Sequence, residues 1–250
     1  MSGMSNPYES RRLVDEYLFF HYASVAEAAG TLPVPHEAWA FPTRVVTELL
    51  DTSGAAERAL DIGCAVGASS FELARLIPKV TGIDFSSAFI RAAEELKMTG
   101  SLEASVAFEG KRMQKFVARV PEETDRRRVD FETGDAMNLP SDLGAFDVVL
   151  AANLVCRLPE PLRFIERLAD LVAPGGQLLL ATPFSWLPEF TPEENWLGGT
   201  EDAAPSQEVL ADLLRPAFEL EFAKDLPFLI REHSRKFQYG ISLGTRWRRR

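Results

Sequence analysis

The stretch Ala59–Leu76, ALDIGCAVGASSFELARL, constrains the fold more than any other part of the chain. An apolar run ends in an acid, passes two glycines and a cysteine, and enters a helical pattern. That order reads as a buried strand delivering the chain through a tight turn into a helix. From here the two patterns alternate. ERALDIG, KVTGIDF, VDFETGDAMNLP, FDVVLAANL and GGQLLLATP read as strands, while ASSFELARLI, SAFIRAAEELK, EPLRFIERLADLV and SQEVLADLLRP read as helices. The alternation predicts an α/β, Rossmann-like, mostly parallel sheet with helices on both faces. Two late segments, FELEFAKDL and SRKFQYGISL, bring the sheet to about seven strands.

Two parts depart from this rhythm. Residues 98–128 are too long for a simple connection, and EASVAFEG followed by KRMQKFVARV predicts an inserted antiparallel pair. Residues 1–50 form a helical addition. NPYESRRLVDEYLFFHYA is expected to be a helix capped by Asn6, with Pro7 at the first helical position and Glu9 as the capping-box acid. Gly30 to Pro42 reads as a loop and TRVVTELLD as a second helix. At 250 residues and 46% hydrophobic content, residues 1–250 can share a core as one domain.

The formal charge of −10 argues against a nucleic-acid or anionic-membrane partner, because phosphate binding is driven by clustered Lys and Arg. The basic end RWRRR is the exception, expected as a frayed solvated tail rather than as charges paired within the fold. The sequence lacks both an apolar run of roughly 18 residues and the order of a signal peptide, so a cytoplasmic protein is expected. Cys64 and Cys156 have no CxxC spacing, and His21, His36 and His233 have no zinc-ligand spacing, so no metal site is expected.

In open α/β sheets ligands bind at the carboxyl ends of the strands, where glycines let the backbone approach closely. Gly63, Ala65 and Gly67 form a degenerate glycine pattern that alone fits either a nucleotide-type ligand or a plain tight turn. The ordered set is more specific. Asp61, Asp84 and Asp135 fall at the ends of three successive core strands. Asp84 is placed to accept from two ribose hydroxyls, and Asp135 from an exocyclic amine. Cys64, Phe85, Ser86, Ala136 and Asn153 complete the expected cofactor-facing group.

These motifs, LDIGCAVG, GIDFS, GDAMNLP, FDVVLAANL and APGG, resemble those of class I S-adenosyl-L-methionine-dependent methyltransferases. Ala65 departs from the family's middle glycine. The flanks, NPYESRRLVDEYLFFHYA, ATPFSWLPEFTPEENWLGG and REHSRKFQYGISLGTRWRR, resemble more narrowly the methyltransferases of ovothiol biosynthesis. That resemblance implies S-adenosyl-L-methionine as cofactor and N-methylation of the imidazole ring of 5-thiohistidine to ovothiol A. It also implies a separate sulfoxide synthase as functional partner. The alternatives are another small acceptor, such as histidine or a different thiol-imidazole, and a cofactor-binding protein without turnover.

Candidate acceptor residues lie outside the cofactor motifs, mostly in residues 183–250. Asn153 and Arg157 follow the fourth core strand, and Arg157 offers a bidentate fork for a carboxylate or is a surface arginine. Trp186 and Trp196 wall an aromatic ring or pack a core. Arg231, His233 and Arg235 alternate along one strand-like segment, on one face of a substrate site or on a solvated edge. Tyr8, Tyr17, His21 and Tyr22 crowd the first helix, which is expected as a lid over the cofactor or as an amphipathic packing helix. Asn153, Arg157 and His233 are the expected catalytic groups.

Overall fold

The computed structural model describes residues 7–250. The chain begins with α1 (Arg11–Tyr22), α2 (Val25–Ala29) and α3 (Phe41–Leu49), then enters the core through β1 (Arg58–Ile62), α4 (Ala68–Ala74), β2 (Lys79–Asp84) and α5 (Ser87–Thr99). The insertion is a separate two-stranded sheet, β3 (Ser101–Glu109) and β4 (Arg112–Arg119). The core resumes with β5 (Val129–Thr133), β6 (Phe146–Ala152), α6 (Pro161–Leu171), β7 (Val172–Thr182), α7 (Ser206–Leu214), β8 (Phe218–His233) and β9 (Lys236–Arg249). The seven core strands lie in the order β5-β2-β1-β6-β7-β9-β8. The first five are parallel, and β9 runs antiparallel between β7 and β8.

Strand alternation explains why helices cover both faces. On β6, Val148 and Leu150 point into one apolar cluster with α1, α3, α4 and α5, whereas Val149 and Ala151 point into another with α6 and α7. A period of two divides each buried strand between two cores, so its residues read as one continuous apolar run. The predicted sheet, helices on both faces and insertion are all present.

Three local expectations are corrected. The first helix begins at Arg11, where the Ser10 hydroxyl accepts from the Leu13 N–H. Asn6, the expected cap, lies outside the described residues, and Glu9 instead accepts from the Ser87 N–H and hydroxyl at 2.9 and 3.0 Å. Second, α2 was not anticipated, although Ser24 and Glu27 write a capping box for it. Third, the basic end is no frayed tail. Arg246 and Arg248 belong to β9 and pair with Glu221, and Arg248 also reaches Asp51 at 2.9 Å.

Thr182 closes β7 opposite Leu243 of β9, so the hairpin of residues 226–242 projects past the carboxyl edge of the sheet. Its tip meets the insertion, where the Ser234 N–H donates to the Phe108 carbonyl at 3.0 Å. Together with α1 these two additions roof the edge where the glycine turn lies.

Candidate functional site

The turn after β1 is held from within. The Gly63 and Cys64 N–H groups both donate to the Ile83 carbonyl, at 2.7 and 3.1 Å, and the Ala65 N–H donates to Asp84 Oδ2 at 2.9 Å. Gly67 has φ +88°, and a Cβ there would stand 2.6 Å from the Phe131 ring. Only glycine meets both demands. Ala65 is itself left-handed at φ 49°, a conformation that favours glycine.

Asp84 accepts from Ala65 with one oxygen and from the Ser86 N–H, at 2.8 Å, with the other. A carboxylate has about four lone-pair sites, so two remain for a ligand. Burial pushes its pKa up, against the two backbone N–H bonds that lower it. Phe85 beside it leaves its ring 63% exposed, an open apolar platform at the sheet edge. Asp135 caps the short turn 136–138 through the Met137 N–H and Asn138 Nδ2, both at 2.8 Å, and Ala136 is half-buried next to it.

Several of the expected cofactor-facing residues are buried around the turn. Asp61 is 1% exposed and accepts from the Ser70 hydroxyl at 2.6 Å, behind the turn. Burial pushes its carboxyl up to about 7, opposed by the Ser70 bond and helped by the charge of Asp84. Cys64 is sealed, and burial and the same two acids hold its thiol well above the usual range. Ser86 is also buried, with its hydroxyl donating to the Tyr8 carbonyl at 2.8 Å and accepting from the Phe89 N–H at 3.1 Å.

Among the acceptor candidates, Asn153 is left-handed at φ 54°, and its side-chain oxygen accepts from Ser242 of β9 at 2.7 Å. Arg157 Nη1 donates to the carbonyls of Ser185 and Cys156 at 2.7 and 2.9 Å, and the guanidinium lies 5.0 Å from the centre of the Phe190 ring. Among the described residues no carboxylate pairs with it. The Tyr8 and Tyr17 side chains share a hydrogen bond, and both feel the charges of Arg157 and Asp84. His21 lies against the Tyr17 ring at 5.9 Å, with burial lowering its pKa to about 3 and Nδ1 without a partner.

Other acceptor candidates are placed elsewhere. The Tyr22 hydroxyl donates to the Val66 carbonyl at 2.8 Å, so it braces the glycine turn. Trp186 and Trp196 stack on each other at 6.5 Å, and their indole N–H groups are bonded to Ser206 and to the Thr191 carbonyl, each at 2.9 Å. Packing within their own loop therefore accounts for both. Arg231 is 8% exposed and bonds the Ala28 and Ala107 carbonyls and Gln114, with Phe19 under its guanidinium. It is a clamp between α2, the insertion and β8. Arg235 does not continue a face with it, because the chain reverses at Ser234 and Arg235; His233 shares β8 with Arg231 across a register shift in the pairing with β9, and its Nδ1 accepts from the Arg235 N–H at 3.3 Å.

Sequence reasoning overlooked Ser70 and Ser242, which fix Asp61 and Asn153 from other elements. A serine carries no positional signal of its own, so only the fold reveals them. Among the described residues no group of three or more His, Cys, Asp and Glu is arranged to hold a metal ion, and no helix is long and apolar enough to cross a membrane.

A sheet whose last strand in sequence enters antiparallel between its neighbours, with a glycine turn and ordered acids at the carboxyl edge, defines the Rossmann-like class of methyltransferases. The chain belongs to that class by family as well: the methyltransferase-domain model matches residues 35–219. A methyltransferase of this class takes S-adenosyl-L-methionine as its cofactor. The ubiquinone biosynthesis O-methyltransferase of Xanthomonas oryzae pv. oryzae (strain PXO99A) is 31% identical over 138 residues, 55% of this chain and 46% of that protein. The chain thus spans about half the length of the curated relatives it matches. Among solved structures, the N-methyltransferase NodS from Bradyrhizobium japonicum WM9, in complex with S-adenosyl-L-homocysteine, matches with TM-score 0.52 at 19% identity, covering 83% of each chain. The [4+2]-cyclase SpnF matches with TM-score 0.55 at 18% identity over 87% of this chain and 84% of its own, so the fold alone does not assign the reaction.

Proposed function

We propose that the chain, as a single unit from 1 to 250, is an S-adenosyl-L-methionine-dependent N-methyltransferase that methylates the imidazole ring of 5-thiohistidine to give ovothiol A. The cofactor supplies an electrophilic methyl on a sulfonium. Asp84 takes the ribose hydroxyls with its two remaining lone-pair directions, Phe85 and Ala136 flank the adenine, and Asp135 accepts from its amine. Arg157, free of any carboxylate among the described residues, takes the acceptor's carboxylate or thiolate.

One observation carries the reading. Around Arg157 the described residues offer donors, namely Arg157 itself, the two tyrosine hydroxyls and the Asn153 amide, but no strong base. His21 is held neutral and weakly basic by burial, and Asp84 is committed to the turn and the ribose. The nucleophile must therefore arrive with its lone pair ready. An imidazole ring that has already lost its ring proton to water, such as that of 5-thiohistidine in its deprotonated form, does, and catalysis becomes the alignment of nitrogen and methyl at roughly 3 to 3.5 Å. The resemblance drawn from the flanking segments supports the same acceptor. A second reading, O-methylation of a phenol, follows the names of the curated relatives but requires removal of a hydroxyl proton near neutral pH.

The test is a panel of histidine, 5-thiohistidine, ergothioneine, cysteine and a catechol with labelled cofactor. Ring-methylated product from 5-thiohistidine alone is expected. An oxygen-methylated catechol as the preferred product overturns the proposal.

A further inference from the structure

The expected lid is α1, yet α1 is built into the core. Val14, Leu18 and Phe19 are buried, and Phe19 lies under both Phe116 of the insertion and the Arg231 guanidinium. Before α1 runs a short strap, Pro7 to Ser10, whose Tyr8 ring packs edge-on against Phe89 and Tyr17. The strap is fastened to the first turn of α5 at two points: the Ser86 hydroxyl on the Tyr8 carbonyl, and Glu9 on Ser87.

The first fastening joins the two ligand sites. Asp84 Oδ1 accepts from the Ser86 N–H, the Ser86 hydroxyl donates to the Tyr8 carbonyl, and the Tyr8 hydroxyl meets that of Tyr17 in the field of Arg157. The contacts lead from the acid proposed for the ribose, through Ser86 and the Tyr8 backbone, to the Tyr8 and Tyr17 rings near Arg157. On the proposed function, we infer that Ser86 is a positioning residue. It registers cofactor binding at Asp84 and sets Tyr8, with Tyr17, against the acceptor, so that the acceptor site is completed only after the cofactor is in place.

Ser86 touches neither ligand, so its loss should separate the two affinities. Ser86→Ala removes the donor to Tyr8 and the cap of α5 together, whereas Ser86→Thr restores both hydroxyl roles. Glu9→Ala releases the strap from Ser87 without touching the cap. With the best acceptor of the panel, Ser86→Ala and Glu9→Ala are expected to raise the acceptor KM about five- to tenfold, with S-adenosyl-L-homocysteine affinity within about twofold and Ser86→Thr near wild type. Hydrogen exchange gives a readout independent of the acceptor. S-adenosyl-L-homocysteine should slow exchange of the Tyr8–Ser10 amides in the wild type and not in Ser86→Ala. Loss of methylation of every acceptor tested would sink the functional reading while leaving this exchange result to decide the coupling. Equal exchange protection in wild type and Ser86→Ala, or an acceptor KM unmoved in Glu9→Ala, overturns the coupling.

Discussion

Asp61 makes the stability of this protein depend on pH in a direction opposite to that of most carboxylates. An aspartate in an unfolded chain titrates near 3.9. In the fold, burial holds Asp61 up to about 7. Between those values the folded protein keeps a proton that the unfolded chain has lost, so this contribution is complete below the unfolded pKa and is lost as pH rises through the folded one. The slope is about 1.4 kcal/mol per pH unit in that window, and the whole is on the order of 4 kcal/mol. Asp61→Asn keeps an oxygen to accept from Ser70 and carries no such proton. Urea denaturation of both proteins between about pH 5.5 and 7.5 should show the wild type losing roughly 2 kcal/mol relative to the variant. Parallel stability profiles would refute the argument, because they would mean that Asp61 is ionised in the fold throughout.

Asp84→Asn keeps one acceptor oxygen, and the loss of one hydrogen bond to a charged group, about 1.5 to 3 kcal/mol, should weaken S-adenosyl-L-methionine binding roughly tenfold to a hundredfold by calorimetry. Gly67→Ala forces a methyl to 2.6 Å from the Phe131 ring at φ +88°, and a loss of about 2 to 4 kcal/mol is expected in urea denaturation. Arg231→Ala should cost about 2 to 4 kcal/mol of stability and leave cofactor affinity unchanged, because Arg231 clamps α2, the insertion and β8 together. Arg157→Lys keeps the charge but loses the planar fork, so initial rates should show a higher acceptor KM with cofactor affinity unaltered.

The sheet was legible because its strands are buried on both faces and its helices are amphipathic, two periods that survive in sequence without any knowledge of tertiary contacts. The edge acids were legible for the same reason, since the end of a strand is also the end of an apolar run. What stayed hidden depends on chain reversal and on partners far apart in sequence. Arg231, His233 and Arg235 look like one face until the hairpin turns after His233 and carries Arg235 away. Arg231 then proves to hold Ala107 and Gln114, which no spacing rule connects to it. Ser10 and Asn6 compete as caps for one helix, and sequence pattern does not decide between neighbouring small polar residues.

The strand order carries a consequence for how the chain acquires its shape. β9 lies between β7 and β8, so β8, although made earlier, has no place in the sheet until β9 arrives. On a ribosome, β7 must wait with an open edge while residues 183–235, which include α7 and the unpaired β8, emerge after it. Ser242, which steadies Asn153, and the hairpin that reaches the insertion come with that final strand. A nascent chain halted at Arg235 would therefore contain every cofactor motif, yet expose the raw edge of β7 and lack the hairpin's part of the roof. Binding competence for one ligand and competence for the reaction should thus appear at different moments of synthesis.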